Sequence, residues 1–398
     1  MQHRRAPLLL GLTTFRNAGT PFGIRSEDRL SHTYIIGKTG TGKSTLLFTM
    51  AAQDIIANNG IALFDPHGDL AGTLRSVALE RRPDVLIYLN AADMDLDWTF
   101  NPFADIPVAR RPLAAAGLVE VFKKLWPDDW GPRLEHVLRN VIYTLLDKPG
   151  STLADIATLL ADKAYRESVI PSITNPVVQD FWQSEYAKYS QAFRAVVIAP
   201  LQNKVGALLT DPTLRRILTG NGKPLDLRDV MDTGKILIVN LDKGRIGEGP
   251  ATVLGSFLVS HIALAGIARS DQPEEKRRNF FVYLDEFHNF TTQSLATMLS
   301  ELRKYRVGMV LAHQHLGQLD MDIRDAVFGN VGTLISFRVG AADAQFVARE
   351  FAPTFSFSDL TSLPRFNMYL RLQIDGEQSR PFSAQTIGSP HELPGFAT

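Results

Sequence analysis

The sequence predicts an α/β fold with a mostly parallel central sheet, and the order of apolar and helix-length segments carries that prediction. Short runs recur along the chain, each apolar at successive residues, with helix-length segments between them. Continuous apolarity is typical of parallel strands that are buried on both faces of a sheet. The expected strands are Thr33–Ile36, Gly60–Phe64, Val85–Leu89, Ile236–Asn240, Phe280–Leu284, Gly308–Ala312 and Thr333–Phe337.

The strand pattern stops between about residues 106 and 222, where helix-length stretches are punctuated by prolines and no convincing strand is found. We therefore expect an all-α subdomain at 106–222, inserted between the N-terminal part (1–105) and the C-terminal part (223–385) of one α/β domain. An alternating stretch at 368–377 contains an Asp-Gly pair and predicts a hairpin. Residues 386–398 are expected to form a tail.

Residues Gly37–Ser44 form a glycine-rich sequence, Gly-Lys-Thr-Gly-Thr-Gly-Lys-Ser, that has the pattern of a phosphate-binding P-loop. It follows the first expected strand and precedes a helix-like run. The glycines of such a loop let the backbone aim its N–H groups at phosphate oxygens, and the lysine reaches the β- and γ-phosphates. The final hydroxyl is a ligand of Mg²⁺. The sequence thus predicts a site for a nucleoside triphosphate, ATP with Mg²⁺. The expected nucleotide-binding residues are Gly37, Lys38, Thr39, Gly40, Thr41, Gly42, Lys43, Ser44 and Thr45.

Two adjacent acids, Asp285 and Glu286, end the apolar run Phe280–Leu284. In a P-loop ATPase, a strand beside the P-loop strand ends in this way. The first acid holds Mg²⁺ and the second polarises the attacking water. On its own this pattern also fits a solvated strand end, but the P-loop upstream favours the catalytic interpretation, with Asp285 and Ser44 at the metal.

Other polar residues follow the strand ends. Gln314 comes after the run Gly308–Ala312, and a neutral glutamine there can sense the γ-phosphate. His313 and His315 flank it, but no further ligands at a useful spacing support a metal site. Asp65, at the end of the second strand, either supports the water shell of Mg²⁺ or only shapes the turn.

Arg303 lies at the end of a predicted helix between the acidic strand and the strand before Gln314. A basic residue at this place either complements the helix dipole or reaches a neighbouring chain's phosphate as an arginine finger. The spacing alone does not separate these two roles.

Composition sets limits on partners and location. The chain carries 42 basic and 42 acidic residues, so no global basic excess indicates a nucleic-acid coat. It contains no cysteine, which is compatible with a reducing cytosol. The uncharged stretch from Pro250 to Ala268 contains a proline, two serines and a histidine, and we expect a helix buried against the sheet rather than a membrane span.

Taken in order, these segments resemble the HerA/FtsK superfamily of ring ATPases, and within it the type IV coupling proteins of conjugation. The resemblance covers the chain from about Gly23 to Ser383, and a helical insertion after the P-loop is a further point of similarity. The matching stretches are Ser31–Ser44, Phe64–Leu70, Val282–Phe287, Leu311–Gln314 and Asn330–Gly340.

The resemblance implies a RecA-like P-loop ATPase domain that hydrolyses ATP, in a homo-hexameric ring that moves DNA through its central pore. It implies catalytic roles for Lys43, Glu286 and Gln314, the last as a sensor. It also favours the arginine-finger role for Arg303, and Arg338 is the alternative candidate for that role.

Coupling proteins usually carry N-terminal transmembrane helices, and none is recognisable in this sequence. We therefore expect a chain that does not itself span a membrane. Its expected location is cytoplasmic, with recruitment to the inner face of the cell membrane by a membrane-protein or relaxosome partner.

Alternative functions remain open at this stage. The leading one is a DNA translocase in conjugation, type IV secretion or mobile-element transfer. The others are a secretion-channel ATPase acting on protein substrates, a HerA-like motor in repair or defence, and a nucleotide-dependent switch. The complete set of catalytic residues argues against a switch. Lys243 and Arg245 are candidate DNA contacts in an expected loop, where a solvated turn is equally compatible.

Overall fold

The computed structural model describes residues 6–16, 19–104, 106–128 and 130–387. Most of the expected tail, from residue 388 onward, lies outside the described residues. The described strands are β1 Leu8–Thr13, β2 Pro21–Ile24, β3 Thr33–Ile36, β4 Gly60–Asp65, β5 Leu86–Asn90, β6 Trp98–Thr99, β7 Lys223–Pro224, β8 Ile236–Asn240, β9 Phe280–Leu284, β10 Val307–His313, β11 Thr333–Ser336, β12 Asn367–Arg371, β13 Gln373–Ile374, β14 Glu377–Gln378 and β15 Phe382–Thr386.

Within the described residues, an 11-stranded sheet has the order β2-β1-β15-β12-β11-β3-β10-β9-β4-β8-β5. The strands from β11 to β5 run parallel to one another. The strands at the other end are joined by antiparallel pairs. The predicted α/β fold with a mostly parallel sheet is confirmed, and the seven predicted runs are its seven parallel strands. The core of the sheet is fully buried, which explains why these runs are apolar at every residue.

The antiparallel end of the sheet contains strands that the sequence analysis did not predict, namely β1, β2 and β15. The predicted hairpin is present as β13 and β14, which pair across Asp375 and Gly376. Both turn residues have positive φ, at 50° and 88°, as a two-residue hairpin turn requires.

Helices alternate with the strands along the chain. The described α-helices are α1 Ser26–Arg29, α2 Lys43–Ile56, α3 Asp69–Arg81, α4 Arg111–Leu125, α5 Pro132–Asp147, α6 Asp155–Ala161, α7 Lys163–Val169, α8 Pro176–Asp180, α9 Gln191–Thr210, α10 Pro212–Thr219, α11 Leu227–Thr233, α12 Lys243–Ile246, α13 Glu248–Ala268, α14 Gln293–Leu302, α15 Met321–Asn330, α16 Ala341–Phe351 and α17 Phe357–Ser362.

The chain divides into two compact units. One consists of Met1–Asn90, Arg228–Asp242 and Ala265–Thr398 and contains the whole large sheet. The other consists of Ala91–Leu227 and Lys243–Leu264, and among its described residues the regular elements are helices and the two-residue strands β6 and β7. The bounds that we expect for an inserted all-α subdomain, 106–222, stay a prediction.

Helix α13 contains the uncharged stretch noted in the sequence. By length and composition it is the one described helix that could cross a membrane, but most of it is buried inside the protein. Because the protein interior already shields its apolar residues from water, this helix needs no membrane around it, as the sequence analysis expected.

A buried ion pair ties the helix after the P-loop to the acidic strand. Arg29 donates two hydrogen bonds to the carboxylate of Asp54 near the end of α2, at 2.7 and 2.6 Å. The hydroxyl of Tyr283 on β9 donates to the same carboxylate and accepts a hydrogen bond from Arg29 at 2.8 Å. The guanidinium also lies 3.5 Å from the ring centre of Phe281. These contacts fix α2 against the strand that carries the acids.

Candidate active site

The loop between β3 and α2 depends on glycine at Gly37 and Gly42. A β-carbon at Gly37 would lie 2.6 Å from the β-carbon of Phe337, and one at Gly42 would lie 2.9 Å from the Phe337 ring. Gly42 also has a φ of 126°, outside the range of L side chains. The hydroxyl of Thr41 donates to the carbonyl of Lys38 at 2.7 Å and closes the loop. The backbone is therefore held in a turn that only glycine permits.

Lys43 begins helix α2, and its side chain folds back over the loop. Its ammonium donates to the carbonyl oxygens of Gly37 at 2.6 Å and Lys38 at 3.3 Å. Burial lowers the pKa of Lys43, and the nearby carboxylates of Glu286 and Asp285 oppose that shift. The ammonium of Lys43 is thus held between the P-loop backbone and the acidic pair, where a bound phosphate would lie.

The acidic pair lies close to Lys43 because β9 is only two strands from β3 in the sheet. Asp285 and Glu286 are each only 4% exposed. Burial, followed by the charges of Glu286 and Asp65, raises the pKa of Asp285 to about 7, while Lys43 opposes the shift. Glu286 has a φ of 47°, a strained backbone for a side chain of this size. Strain of this kind concentrates at functional sites.

Gln314 connects the P-loop to the second acid. Its Oε1 accepts a hydrogen bond from the hydroxyl of Thr39 at 2.7 Å, and its Nε2 donates to Oε1 of Glu286 at 2.6 Å. The other carboxylate oxygen of Glu286 has no hydrogen-bond partner among the described residues and lies 3.5 Å from Nδ1 of His288. One oxygen of the carboxylate is therefore oriented by Gln314, and the other is buried without a hydrogen-bond partner among the described residues.

Asp65 shapes the turn that leads into α3. Its two carboxylate oxygens accept backbone hydrogen bonds from His67 and Ala71, each at 2.8 Å. The sequence analysis left its role open between a turn and a metal water shell, and this geometry is that of a turn residue. Its charge still acts on the site by raising the pKa of Asp285.

Lys43, both acids and Gln314 line one cavity of about 240 Å³. The cavity brings together P-loop residues, both acids and Gln314, all of which the sequence analysis named. It also includes three residues that the sequence analysis did not assign to the site. The lining residues are Thr39, Gly40, Gly42, Lys43, Ser44, Thr45, His67, Asp285, Glu286, Gln314, Arg365 and Phe366. His67 lay in a matched segment, whereas no local signal marked Arg365 or Phe366.

The donor set fits a magnesium ion bound together with phosphates. The carboxylates of Asp285 and Glu286 act on the single ammonium of Lys43, and Ser44, an exposed residue, lines the same cavity. Mg²⁺ is commonly held by one or two protein oxygens plus substrate phosphates and waters. Ser44 and Asp285 are the residues that would hold it. Among the described residues, no group of three acidic or histidine side chains forms a self-sufficient metal site.

Neither candidate arginine finger lines the cavity. Arg303 is exposed and leads from the end of α14 toward the amino end of β10. The P-loop follows the carboxyl end of β3, which is parallel to β10, so Arg303 lies at the opposite edge of the sheet. Arg338 lies at the P-loop edge, where its carbonyl accepts a hydrogen bond from the Lys38 N–H at 2.8 Å.

His313 is a buried structural residue. Its Nε2 lies 2.5 Å from the hydroxyl of Tyr34, and burial, with the charge of His288, lowers the pKa of His313 to about 3. His315 lies 3.3 Å from a carboxylate oxygen of Asp343 instead. The two histidines therefore contact different partners.

The candidate DNA contacts Lys243 and Arg245 lie in α12, a single helical turn, where the sequence analysis expected a loop. Arg245 is exposed and Lys243 is half-buried. The expectation of a loop was wrong, because the Gly247 N–H donates to the carbonyl of Lys243 at 3.0 Å and closes a helical turn.

The sequence matches a known protein family, and the structure is similar to several solved structures. Residues 14–350 match the model of the type IV secretion-system coupling protein DNA-binding domain. The unbound bacterial conjugative coupling protein TrwBdeltaN70 is similar in structure, with a TM-score of 0.65, 14% identity and coverage of 97% of this chain and 90% of that one.

TrwB in complex with a non-hydrolysable ATP analogue aligns with a TM-score of 0.64 and 16% identity, covering 94% of this chain and 90% of that one. VirB4 of Thermoanaerobacter pseudethanolicus aligns with a TM-score of 0.63 and 12% identity, covering 98% of each chain. No curated protein matches this chain by sequence. The family match extends over most of the chain and includes the P-loop and both acids, so the chain belongs to the type IV secretion-system coupling protein DNA-binding domain family.

Proposed function

We propose that this chain hydrolyses ATP and uses the energy to move DNA through a homo-hexameric ring in conjugation or type IV secretion. The observation that carries the proposal is the cavity in which the P-loop, the acidic pair and Gln314 meet. Family membership supports DNA as the cargo. TrwB, which shares the fold, has been solved with an ATP analogue and with ADP and Mg²⁺.

Each side chain has a role in hydrolysis. Backbone N–H groups of the P-loop and the Lys43 ammonium bind the β- and γ-phosphates. Ser44 and Asp285 hold Mg²⁺, which offsets charge on the phosphate oxygens. Glu286, whose carboxylate Gln314 orients, polarises the attacking water. Gln314 bonds both the P-loop and Glu286, so it is placed to report loss of the γ-phosphate.

Arg303 acts on the site of a neighbouring chain. It lies at the sheet edge opposite its own P-loop, so a role in hydrolysis requires a second copy. A positive charge supplied in this way stabilises the transition state. Arg303→Ala should abolish turnover in the assembled protein while ATP binding persists. The matched control is Lys304→Ala, since Lys304 is also exposed and pairs with Glu301 of α14.

Mixing two inactive variants tests whether the sites are shared. Lys43→Ala chains keep the finger and lose the site, and Arg303→Ala chains keep the site and lose the finger. Mixed rings should regain part of the activity, because some intact sites then face intact fingers. Mixtures that stay inactive, with hexamers present by light scattering, would contradict a finger supplied between chains.

Steady-state ATP hydrolysis with no DNA, single-stranded DNA or double-stranded DNA tests the cargo, with Lys43→Ala as the blank. Stimulation by DNA that the variant loses supports a DNA motor. The second candidate, an ATPase acting on protein substrates, is favoured by the equal numbers of basic and acidic residues. Hydrolysis that is indifferent to DNA would support it and contradict DNA translocation.

Lys243 and Arg245 are the proposed DNA contacts. Neutralising both should reduce the slope of log affinity against log salt by about two, since each phosphate contact contributes close to one. Lys188→Ala, at an exposed lysine elsewhere in the chain, is the control. An unchanged slope would exclude these two residues as phosphate contacts.

The chain is proposed to work in the cytoplasm, recruited to the inner face of the membrane by a membrane-protein or relaxosome partner. Cell fractionation tests this location. The chain should sediment with membranes only when the partner system is expressed. Sedimentation in its absence would contradict recruitment by a partner.

A further inference from the structure

The segment before β12 has a backbone conformation that its sequence does not favour. The Asn367 N–H bonds to the carbonyl of Pro364 at 3.3 Å and closes a four-residue turn. Phe366, the third residue of the turn, has a φ of 65°. Turns with positive φ at this position prefer glycine, and a bulky residue there is strained. Strained residues of this kind cluster at functional sites, so the phenylalanine side chain is a candidate for a functional contact.

The strained turn is attached directly to the P-loop. The Phe366 N–H donates to the carbonyl of Thr41 at 2.8 Å, and Nε of Arg365 donates to the carbonyl of Gly40 at 2.9 Å. A β-carbon at Gly42 would lie 3.2 Å from the Phe366 ring. The ring thus lies against the phosphate-binding loop, and both Arg365 and Phe366 line the cavity.

The sheet order separates the two sides of this cavity. Glu286 and Gln314 follow β9 and β10, which lie on one side of the P-loop strand β3. The Phe366 turn leads into β12, which lies on the other side of β3, beyond β11. The groups that act on the γ-phosphate and the Phe366 ring therefore flank the P-loop from opposite sides. A nucleotide held with its γ-phosphate at Glu286 has its nucleoside end directed away from the acids.

We propose that Phe366 and Arg365 form the nucleoside subsite, with the Phe366 ring stacking on the base. This inference rests on the proposed function, since it assumes that the P-loop binds a nucleoside triphosphate. The Arg365 guanidinium lies 5.3 Å from the centre of the Phe366 ring and adds a cation beside the aromatic face. Because every base has a π-face, stacking of this kind accepts ATP and GTP alike. The strain at Phe366 is the cost of presenting a ring where a turn would otherwise place glycine.

Calorimetric binding of three magnesium-bound probes to the full chain tests the subsite: ATP, GTP and inorganic triphosphate. The variant Phe366→Gly removes the ring and introduces the residue that the turn prefers, so the backbone conformation is retained. We expect ATP and GTP affinities to fall by about tenfold or more, as loss of a stacking aromatic does. Triphosphate, which has no nucleoside, should bind as tightly as to the wild type. Phe366→Tyr should restore nucleotide affinity, and Phe357→Ala, which removes an exposed ring outside the cavity, should change nothing.

Two results would overturn the subsite alone. Nucleotide affinity unchanged in Phe366→Gly would show that the ring does not contact the nucleoside. An equal loss of triphosphate and nucleotide affinity would show that Phe366 only supports the P-loop. A wild-type chain that binds none of the three probes would instead refute the proposed function together with this inference.

Discussion

Removal of the Gln314 side chain should impair hydrolysis without impairing ATP binding. Gln314 accepts a hydrogen bond from Thr39 at 2.7 Å and donates one to Glu286 at 2.6 Å. Glu286 is 4% exposed, so solvent has little access to replace the lost donor. In Gln314→Ala the carboxylate loses the contact that fixes its orientation, whereas Lys43 and the loop backbone keep theirs.

The size of the effect follows from the charge on the acceptor. A hydrogen bond to a charged group contributes about 1.5–3 kcal/mol, and about 1.4 kcal/mol changes a rate tenfold. If this interaction is needed to orient Glu286 in the transition state, kcat should fall by roughly 10- to 150-fold. The dissociation constant for ATP should stay within about threefold, because the γ-phosphate contact of one neutral amide is a small part of phosphate binding.

The assay is steady-state ATP hydrolysis under the most stimulating DNA condition, with ATP binding measured separately by calorimetry. Gln293→Ala is the matched control, since Gln293 is an exposed glutamine at the start of α14 and does not line the cavity. The Gln293 variant should keep wild-type kcat. A Gln314 variant with unchanged kcat, or one whose loss lies entirely in ATP affinity, would refute the relay from Thr39 to Glu286.

Three further predictions concern the scaffold that holds the site. Asp54→Ala should lower the free energy of unfolding by about 3–5 kcal/mol, measured in urea, because it leaves the Arg29 charge buried without its partner. His32 is buried with its pKa lowered to about 4 from 6.5, so the unfolded chain takes up a proton that the folded one excludes. Stability should therefore fall as the pH drops from about 6.5 toward 4, and less steeply in His32→Asn, since asparagine tolerates the φ of 61°. Gly42→Ala should abolish nucleotide binding, because the methyl group would lie 2.9 Å from the Phe337 ring in a backbone with a φ of 126°.

Matched substitutions at exposed or open positions provide the controls. Asp84→Ala removes an exposed carboxylate and should leave unfolding unchanged. Gly72→Ala adds a methyl group where no atom lies within 4 Å and should keep nucleotide binding. Equal behaviour of any test variant and its control would contradict the corresponding prediction.

The sequence predicted the part of the site that depends on consecutive residues. Gly37–Ser44 and the pair Asp285 and Glu286 follow apolar runs, and each group is positioned by the strand immediately before it. Parallel strands end at one edge of a sheet, so naming these residues together needed no knowledge of the strand order. The buried helix α13 was also predictable, because its apolar residues are continuous along the chain.

Strands β1, β2 and β15 were not predicted from the sequence. They lie at the antiparallel end of the sheet, and burial along β1 and β15 is uneven. A period of two with partial burial is a weaker signal than a continuous apolar run, and edge strands tolerate glycine and proline. Gly11 lies in β1 and Pro21 begins β2, and neither residue type favours a strand.

By itself the sequence determined that a phosphate-binding loop and two acids meet at the carboxyl edge of a parallel sheet. Only the tertiary structure decided which residues stand on either side of that loop. Gln314 bonds Thr39 across 275 positions, and Arg365 bonds Gly40 across 325. An apolar run specifies that a strand is buried but not which strand lies beside it. The contacts of Gln314 and Arg365 with the loop depend on the strand order, which the sequence did not reveal. The same reason explains why Phe366, an unremarkable residue in sequence, lines the cavity.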